Sequence, residues 1–427
     1  MVIHVVRAGE SISSVAAHYG VPPALVAELN GISPSSPLAV GQTLVVRFPR
    51  EGHTVRAGES LYSIALRYGL SVRTLYQNNP ALGGRSRIFP GEMLVIAYDD
   101  EPRRSLAVNA YAYPFIDTAL LDTALPYLTY LTPFTYGVTA AGTLVPLADE
   151  ALLAAAPQYR TAALMHLSTL TEEGRFDSDR AARILESTAA QDTLLRSLED
   201  TLRRKRYFGL DIDFEYVPPA LREAYAAFVA RVRETLEPLG YPVIVALAPK
   251  TSAQQRGLLY EAHDYRLLGA AANAIFLMTY EWGYTYGPPM AVAPLPQVRA
   301  VLDYAVREIA PEKIFLGIPL YGYDWTLPFV QGESRAESIS PVEAVARAVR
   351  HDIAIEYDES AQAPHFYYTD SAGRAHAVWF EDARSIRAKL LLAEEYGLQG
   401  VGYWNLTRPF PQNWAVLAAL FESETLL

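Results

Sequence analysis

The sequence predicts an α/β protein: a (β/α)8 barrel with a small α+β insertion between strands seven and eight, preceded by two small βααβ modules. Three observations lead there. An N-terminal block recurs at an offset of 49 residues, and eight apolar β-rich runs alternate with helical stretches across residues 105–427. Acids hold alternate positions in the fourth of those runs.

The repeat comes first in the chain. His4-Val5-Val6-Arg7-Ala8-Gly9-Glu10-Ser11 returns as His53-Thr54-Val55-Arg56-Ala57-Gly58-Glu59-Ser60, and Tyr19-Gly20 and Asn30 return as Tyr68-Gly69 and Asn79. After one inserted residue, Gly41-Gln42-Thr43-Leu44-Val45 matches Gly91-Glu92-Met93-Leu94-Val95. Alternating apolar runs bracket helically spaced ones, so each copy reads as strand, two helices, strand. Two copies are too few to close a solenoid, which makes them separate miniature modules, over residues 1–48 and 52–98. Residues 99–104 are charged, aperiodic and broken by a proline, and read as a linker.

The motif V-x-x-G-E-S-[IL]-x-x-[IV]-A-x-x-Y-G, followed by Asn and G-[QE]-x-L-V, resembles the LysM module. That resemblance implies binding of N-acetylglucosamine polymers such as peptidoglycan or chitin. The implied groove is lined by Gly9, Glu10, Ser11 and Ile12 in one copy and by Gly58, Glu59, Ser60 and Leu61 in the other. The loops near Pro37-Leu38 and Ile88-Phe89 would face them. Tandem sites raise local concentration on a polymer, so weak sites suffice to retain the protein.

From Ser105 the apolar runs are Leu106–Ala112, Tyr130–Tyr136, Ala162–Ser168, Tyr207–Glu215, Val243–Ala248, Ala274–Tyr280, Ile314–Leu320 and Val401–Asn405. Helical patterns between them are clearest at Asp179–Arg204, Ala220–Leu236, Leu295–Ile309 and Ala383–Tyr396. The long gap before the last run, about residues 323–382, holds a helix at Pro341–His351 and strands at Asp352–Asp358, Pro364–Thr369 and Ala375–Glu381. In the fourth run, Asp211, Asp213 and Glu215 share one strand face, about 6.6 Å per step. Leu210, Ile212, Phe214 and Tyr216 face covering helices. Three carboxylates in a barrel interior must share protons, and at least one pKa rises. A carboxyl protonated near neutral pH is what a general acid requires.

This pattern resembles the D-x-x-D-x-D-x-E signature of glycoside hydrolase family 18, the chitinase-like barrels, over residues 105–427. Met278-Thr279-Tyr280-Glu281 is similar to that family's M-x-Y-D segment, and Trp404 ends strand eight where the family places a tryptophan beneath the reacting sugar. There are departures: Phe208 stands at the first acidic position and Glu281 at the usual Asp. The family is an exception to two-carboxylate retention, using the substrate's own acetamide as nucleophile. The resemblance therefore implies Glu215 as acid and base, Asp213 and Tyr280 holding the acetamide, and Asp211 sharing the proton of Asp213. Tyr321, Asp324, Trp325, Trp282, Tyr113, Met278 and Glu281 are further candidates for the sugar groove; Asn109 faces the interior without an assigned role. MTYEWGYTYGPPMAVAP, GIPLYGYDWTLP and SPVEAVARA, together with the LysM modules, resemble the bacterial spore cortex-fragment-lytic and spore-germination glycosidases. The expected substrate is then spore cortex peptidoglycan. Chitin, or a retired barrel serving as a non-catalytic glycan binder in the spore coat, are the alternatives.

Composition narrows the field. With 51% apolar and 19% charged residues a large core is expected, and no apolar run approaches the length of a membrane span. The absence of cysteine excludes disulfides and thiolate chemistry. No H-E-x-x-H, phosphate loop or G-x-S-x-G elbow occurs, so neither a metal nor a cofactor is implied. The formal charge of −11 argues against nucleic acid as a partner, although residues 1–98 alone carry eight Arg against five Glu. The N-terminus lacks the basic start and apolar stretch of a secretory signal. The resemblance to spore glycosidases, which fits that lack, implies a spore coat or cortex protein assembled from the mother-cell cytoplasm.

Overall fold

Both copies of the N-terminal repeat fold as two antiparallel strands around two helices in the computed structural model, which describes residues 1–171 and 174–427. The first has strands Val2–Val5 and Thr43–Val46 with helices Ile12–Tyr19 and Pro23–Asn30; the second has strands Pro49–Thr54 and Met93–Tyr98 with helices Leu61–Tyr68 and Val72–Asn78. Ser11 and Ser60 start the first helices as capping boxes with Ser14 and Ser63. The repeated asparagines tie helix to strand. Asn30 donates to the carbonyls of Val26 and Val45 and accepts from the Val45 N–H, and Asn79 does the same with Leu75 and Val95.

The modules are fastened to one another and to the barrel. Asp100, inside the stretch read as a linker, takes the N-terminal ammonium and the Arg47 guanidinium, each at 2.7 Å. Gln412 donates to Asn30 Oδ1 and to the Thr43 carbonyl, and Arg73 donates to the carbonyls of Pro126 and Leu128. Gly41 passes so close to the insertion that a Cβ would lie 1.9 Å from the Ile355 carbonyl oxygen.

The barrel strands are β1 (Arg104–Ala112), β2 (Tyr130–Pro133), β3 (Ala162–Ser168), β4 (Gly209–Asp213), β5 (Val243–Leu247), β6 (Ala274–Leu277), β7 (Ile314–Pro319) and β8 (Gly400–Trp404). Each pairs in parallel with the next, and β8 pairs with β1 to close the ring. The helical pattern at 179–204 is two helices, Ser178–Glu186 and Thr188–Lys205. Ser187 breaks it by turning extended and accepting the Ala190 N–H. After β7 the insertion forms a five-stranded antiparallel sheet in the order Glu337–Ile339, Gly322–Thr326, Ala375–Trp379, Ala363–Thr369, Glu356–Asp358, covered by the helix Pro341–Arg350. Its first two strands in the chain are not among those the sequence predicts, because Gly322–Thr326 follows β7 without a turn signal.

Large rings fill the barrel, and small residues let them in. A Cβ on Gly402 would meet the Phe276 ring at 2.4 Å, and one on Gly317 would meet the Leu277 carbonyl at 2.4 Å and Tyr280 at 2.9 Å. At the base, Phe208 packs on Tyr130 at 5.8 Å between centroids, so the missing acid is replaced by an aromatic contact. Overpacking a filled core costs about 1–3 kcal/mol. Gly402→Ala should therefore lower the free energy of chemical unfolding by that amount, and displace Phe276 from beneath the acidic strand.

Candidate active site

Strand β4 delivers the acids as its alternation dictates. Leu210, Ile212 and Phe214 are fully buried, and Phe214 stacks on Tyr225 and Phe228 of the helix Arg222–Leu236. Asp211 and Asp213 are buried on the other face, and Glu215 is half-buried. The strand ends at Asp213, two residues before the apolar run does. Tyr216 turns the chain at φ +54° and is exposed, so it does not face a covering helix as the alternation suggests.

Each acid has a different environment. Tyr111 on β1 donates its hydroxyl to Asp211 Oδ2 at 2.7 Å, while Asp211 Oδ1 and Asp213 Oδ1 have no hydrogen-bond partner among the described residues. His166 on β3 places Nε2 3.6 Å from Asp213 Oδ2, its Nδ1 being held by Thr135 Oγ1 at 2.6 Å. Burial pushes the imidazole down to about 3, so it is neutral. Burial also lifts Asp211 to about 7, against the pull of the Tyr111 hydrogen bond. Asp213 is driven well above the carboxylate range by burial and then by the charges of Glu215 and Asp211. Glu215 rises to about 7 through burial and the nearby charge of Glu281. Near neutral pH this set holds protons that ordinary carboxyls have lost, and Glu215 at the mouth can hand one on.

Met278, Tyr280 and Glu281 follow the end of β6, where Thr279 pins the segment by donating to the Gly317 carbonyl at 2.7 Å. With Trp404 they line a cavity of about 160 Å³ that Asp213 and Glu215 face. Glu281 stands at φ +69°, a conformation costly for a non-glycine residue, and its carboxylate is gripped by the hydroxyls of Tyr321 and Tyr323. Trp404 and Glu281 also border a second, more open groove of about 640 Å³, walled by Tyr113, Tyr321, Tyr323 and Arg408. A small acid-walled chamber opening into an aromatic groove suits one ring of a sugar chain at the reacting position, with its neighbours outside.

A family model described as glycosyl hydrolases family 18 matches residues 167–408, spanning the acid strand, Tyr280 and Trp404. The chain belongs to glycosyl hydrolase family 18. It is a glycosidase. LysM domain models match residues 4–47 and 53–97 of this family 18 protein. It is 40% identical to the cortical fragment-lytic enzyme of Bacillus subtilis, over 99% of this chain and 98% of the relative. The crystal structure of the Bacillus cereus spore cortex-lytic enzyme SleL superposes with a TM-score of 0.84 at 38% identity, covering 99% of this chain and 98% of that one. A chitinase from Chromobacterium violaceum superposes with a TM-score of 0.69 at 26% identity, over 74% of this chain and 98% of its own.

The family 18 fold does not bring every expected groove residue to the cavity. Asp324 is buried in the insertion, where it pairs with Arg347, accepts from Tyr368 at 2.7 Å and meets His376 Nδ1 at 2.7 Å. Trp325 is buried and donates to the Gly287 carbonyl at 2.8 Å, and Trp282 is half-buried against the core; none of the three lines either space. Asn109 accepts from Thr132 at 2.8 Å inside the barrel. Conversely, Tyr111, Phe134, His166, Phe176 and Phe276 line the chamber without having been singled out by the sequence. Tyr111 and His166 carry a signal: Tyr111 lies two residues from inward-facing Asn109, and His166 stands directly beside Asp211 in the β3–β4 register.

In the LysM modules, Gly9 and Gly58 make open turns at φ +82° and +85°. The Glu10 and Glu59 carboxylates turn inward to lock those turns, accepting from the Arg7 and Arg56 N–H groups and meeting His4 and His53. Ile12 and Leu61 are core residues, and Ser11 and Ser60 are exposed caps. Of those eight residues Gly9, Ser11, Gly58 and Ser60 are the exposed ones, and the two serine hydroxyls are engaged in capping their helices.

The raised carboxyls set a stability signature. A group whose folded pKa lies above its ordinary value stabilises fully below that ordinary value and loses the contribution as pH rises through the folded one. Glu215, at about 7 against 4.5, does so between roughly pH 4.5 and 7. Glu215→Gln removes the titration. Its thermal midpoint should match the wild type near pH 4 and exceed it by roughly 1–3 °C near pH 8.

Proposed function

We propose that this glycosidase cleaves β-1,4 bonds after N-acetylglucosamine in spore cortex peptidoglycan, with retention and with the substrate's acetamide as nucleophile. The observation that carries the reading is the chamber in which Glu215 holds a proton to about 7 while Asp213 and Tyr280 border the same space. The names of the full-length relatives, cortical fragment-lytic and spore cortex-lytic enzymes, supply the polymer.

In this reading an N-acetylglucosamine ring sits over Trp404 with its acetamide turned toward Asp213 and Tyr280. Glu215 protonates the departing glycosidic oxygen. The acetamide oxygen attacks C1, giving an oxazolinium ion, while Asp213, its proton taken up by Asp211, accepts a hydrogen bond from the acetamide N–H and balances the growing positive charge. Tyr280 donates to the acetamide oxygen. Asp211, steadied by Tyr111, shares the proton of Asp213, and the neutral His166 adds no competing charge. Glu215 then takes a proton from the incoming water, which attacks C1 from the side the leaving group vacated. The LysM modules hold the enzyme on the glycan, and the protein acts in the spore.

Mass spectrometry of borohydride-reduced products from cortex fragments tests this. The wild type should generate new reducing-end N-acetylglucosamine, and Glu215→Gln should lower kcat by about 10²–10⁴-fold, the usual worth of a positioned acid. New ends at the other sugar, or none from cortex but some from chitin oligomers, would overturn the substrate assignment.

A further inference from the structure

Arg408 is the cation of the open groove. It follows β8 by four residues and is half-buried in the wall that also holds Tyr323, Ser338 and Asn405. No carboxylate pairs with it among the described residues; its side-chain hydrogen bond is a long one, 3.4 Å, to the Ser338 hydroxyl. Glu281, the one acid of the same groove among the described residues, is already gripped by Tyr321 and Tyr323. In a protein with a formal charge of −11, a guanidinium is thus left facing the space where a sugar chain runs, with donors unused.

We propose that Arg408 is a specificity-determining residue that pairs with a carboxylate on the sugar adjoining N-acetylglucosamine. This rests on the peptidoglycan reading given above. In that polymer N-acetylglucosamine alternates with a sugar bearing a lactyl ether, whose carboxyl is free, extended by a short peptide that brings carboxylates of its own, or closed as a lactam; the first two offer Arg408 a carboxylate. Whichever way the chain lies in the groove, the ring beside the one over Trp404 is the substituted ring. Trp404 and Glu281 border both spaces, so that neighbour leaves the chamber directly into the groove that Arg408 walls. Chitin offers the same N-acetylglucosamine to the chamber and no carboxylate to Arg408. Aromatic platforms accept any sugar face, whereas the planar fork of a guanidinium matches a carboxylate. Discrimination between the polymers therefore falls to Arg408.

The test compares soluble cortex fragments with the same fragments after carbodiimide conversion of their carboxylates to methylamides, which leaves the glycan unchanged. For the wild type, kcat/KM for release of reducing-end N-acetylglucosamine should fall about tenfold on amidation, as expected for loss of a charge-assisted hydrogen bond. For Arg408→Gln that ratio should collapse toward one, with Arg408→Lys between, since it keeps the charge and loses the fork. A wild type indifferent to amidation, or an Arg408→Gln protein that keeps the tenfold ratio, overturns the inference and leaves the peptidoglycan reading intact. A wild type that cleaves neither preparation overturns both. Because each variant is read as a ratio between two substrates, a general loss of folded protein cancels.

Discussion

Three carboxyls on one face of β4 cannot all be charged inside a closed barrel, and much of the molecule is arranged around that fact. Burial and mutual repulsion penalise the ionised forms, so protons stay on the set at pH values where isolated acids have lost them. The neighbours keep the set poised. Tyr111 gives Asp211 a hydrogen bond, His166 beside Asp213 is neutral, and Glu281 adds a negative charge at the mouth that keeps the Glu215 proton in place. Phe276 fills the axis only because Gly317 and Gly402 leave it room. The arrangement costs stability near neutral pH, the usual trade at a site built for proton transfer.

The N-terminal modules join this scheme as docked bodies. Asp100 clamps the chain terminus and Arg47, Gln412 reaches into the first module, and Arg73 of the second is bonded to barrel carbonyls. The loop that includes Gly41 rests on the insertion, whose strand Gly322–Thr326 carries Tyr323 to the open groove, whereas a Cβ at the equivalent Gly91 would touch nothing. The two repeats thus share a sequence motif and differ in what surrounds it. A short contact at one glycine and open space at the other is a tertiary difference that the repeat pattern cannot record.

Periodic features are legible in the sequence: the 49-residue repeat, the eight apolar runs and the alternating acids each impose a local geometry that survives folding. The two-residue period alone is enough to put Asp211, Asp213 and Glu215 on one face. Contacts between strands far apart in the chain leave no such trace. Tyr111 reaches Asp211 across 100 residues, and Arg347 reaches Asp324 from a helix of the insertion. Asp324 and Trp325 resemble groove residues because they sit in an aromatic stretch after β7. They are instead the buried polar and aromatic ties of the insertion, where an acid is tolerated only with Arg347, Tyr368 and His376 around it. Arg408 gives no signal at all, since an arginine after a strand reads as surface until the groove beside it is seen.

The β4 carboxyls retain protons near neutral pH. The most direct measurement is a pH titration of protonated-carboxyl C=O bands by difference infrared spectroscopy, assigned with Glu215→Gln and Glu281→Gln. A Glu215 band should persist to about pH 7 and vanish in Glu215→Gln. Its midpoint should move to lower pH in Glu281→Gln, because a neighbouring negative charge has been removed. Loss of every such band by about pH 5, as for ordinary carboxyls, would contradict proton retention on β4.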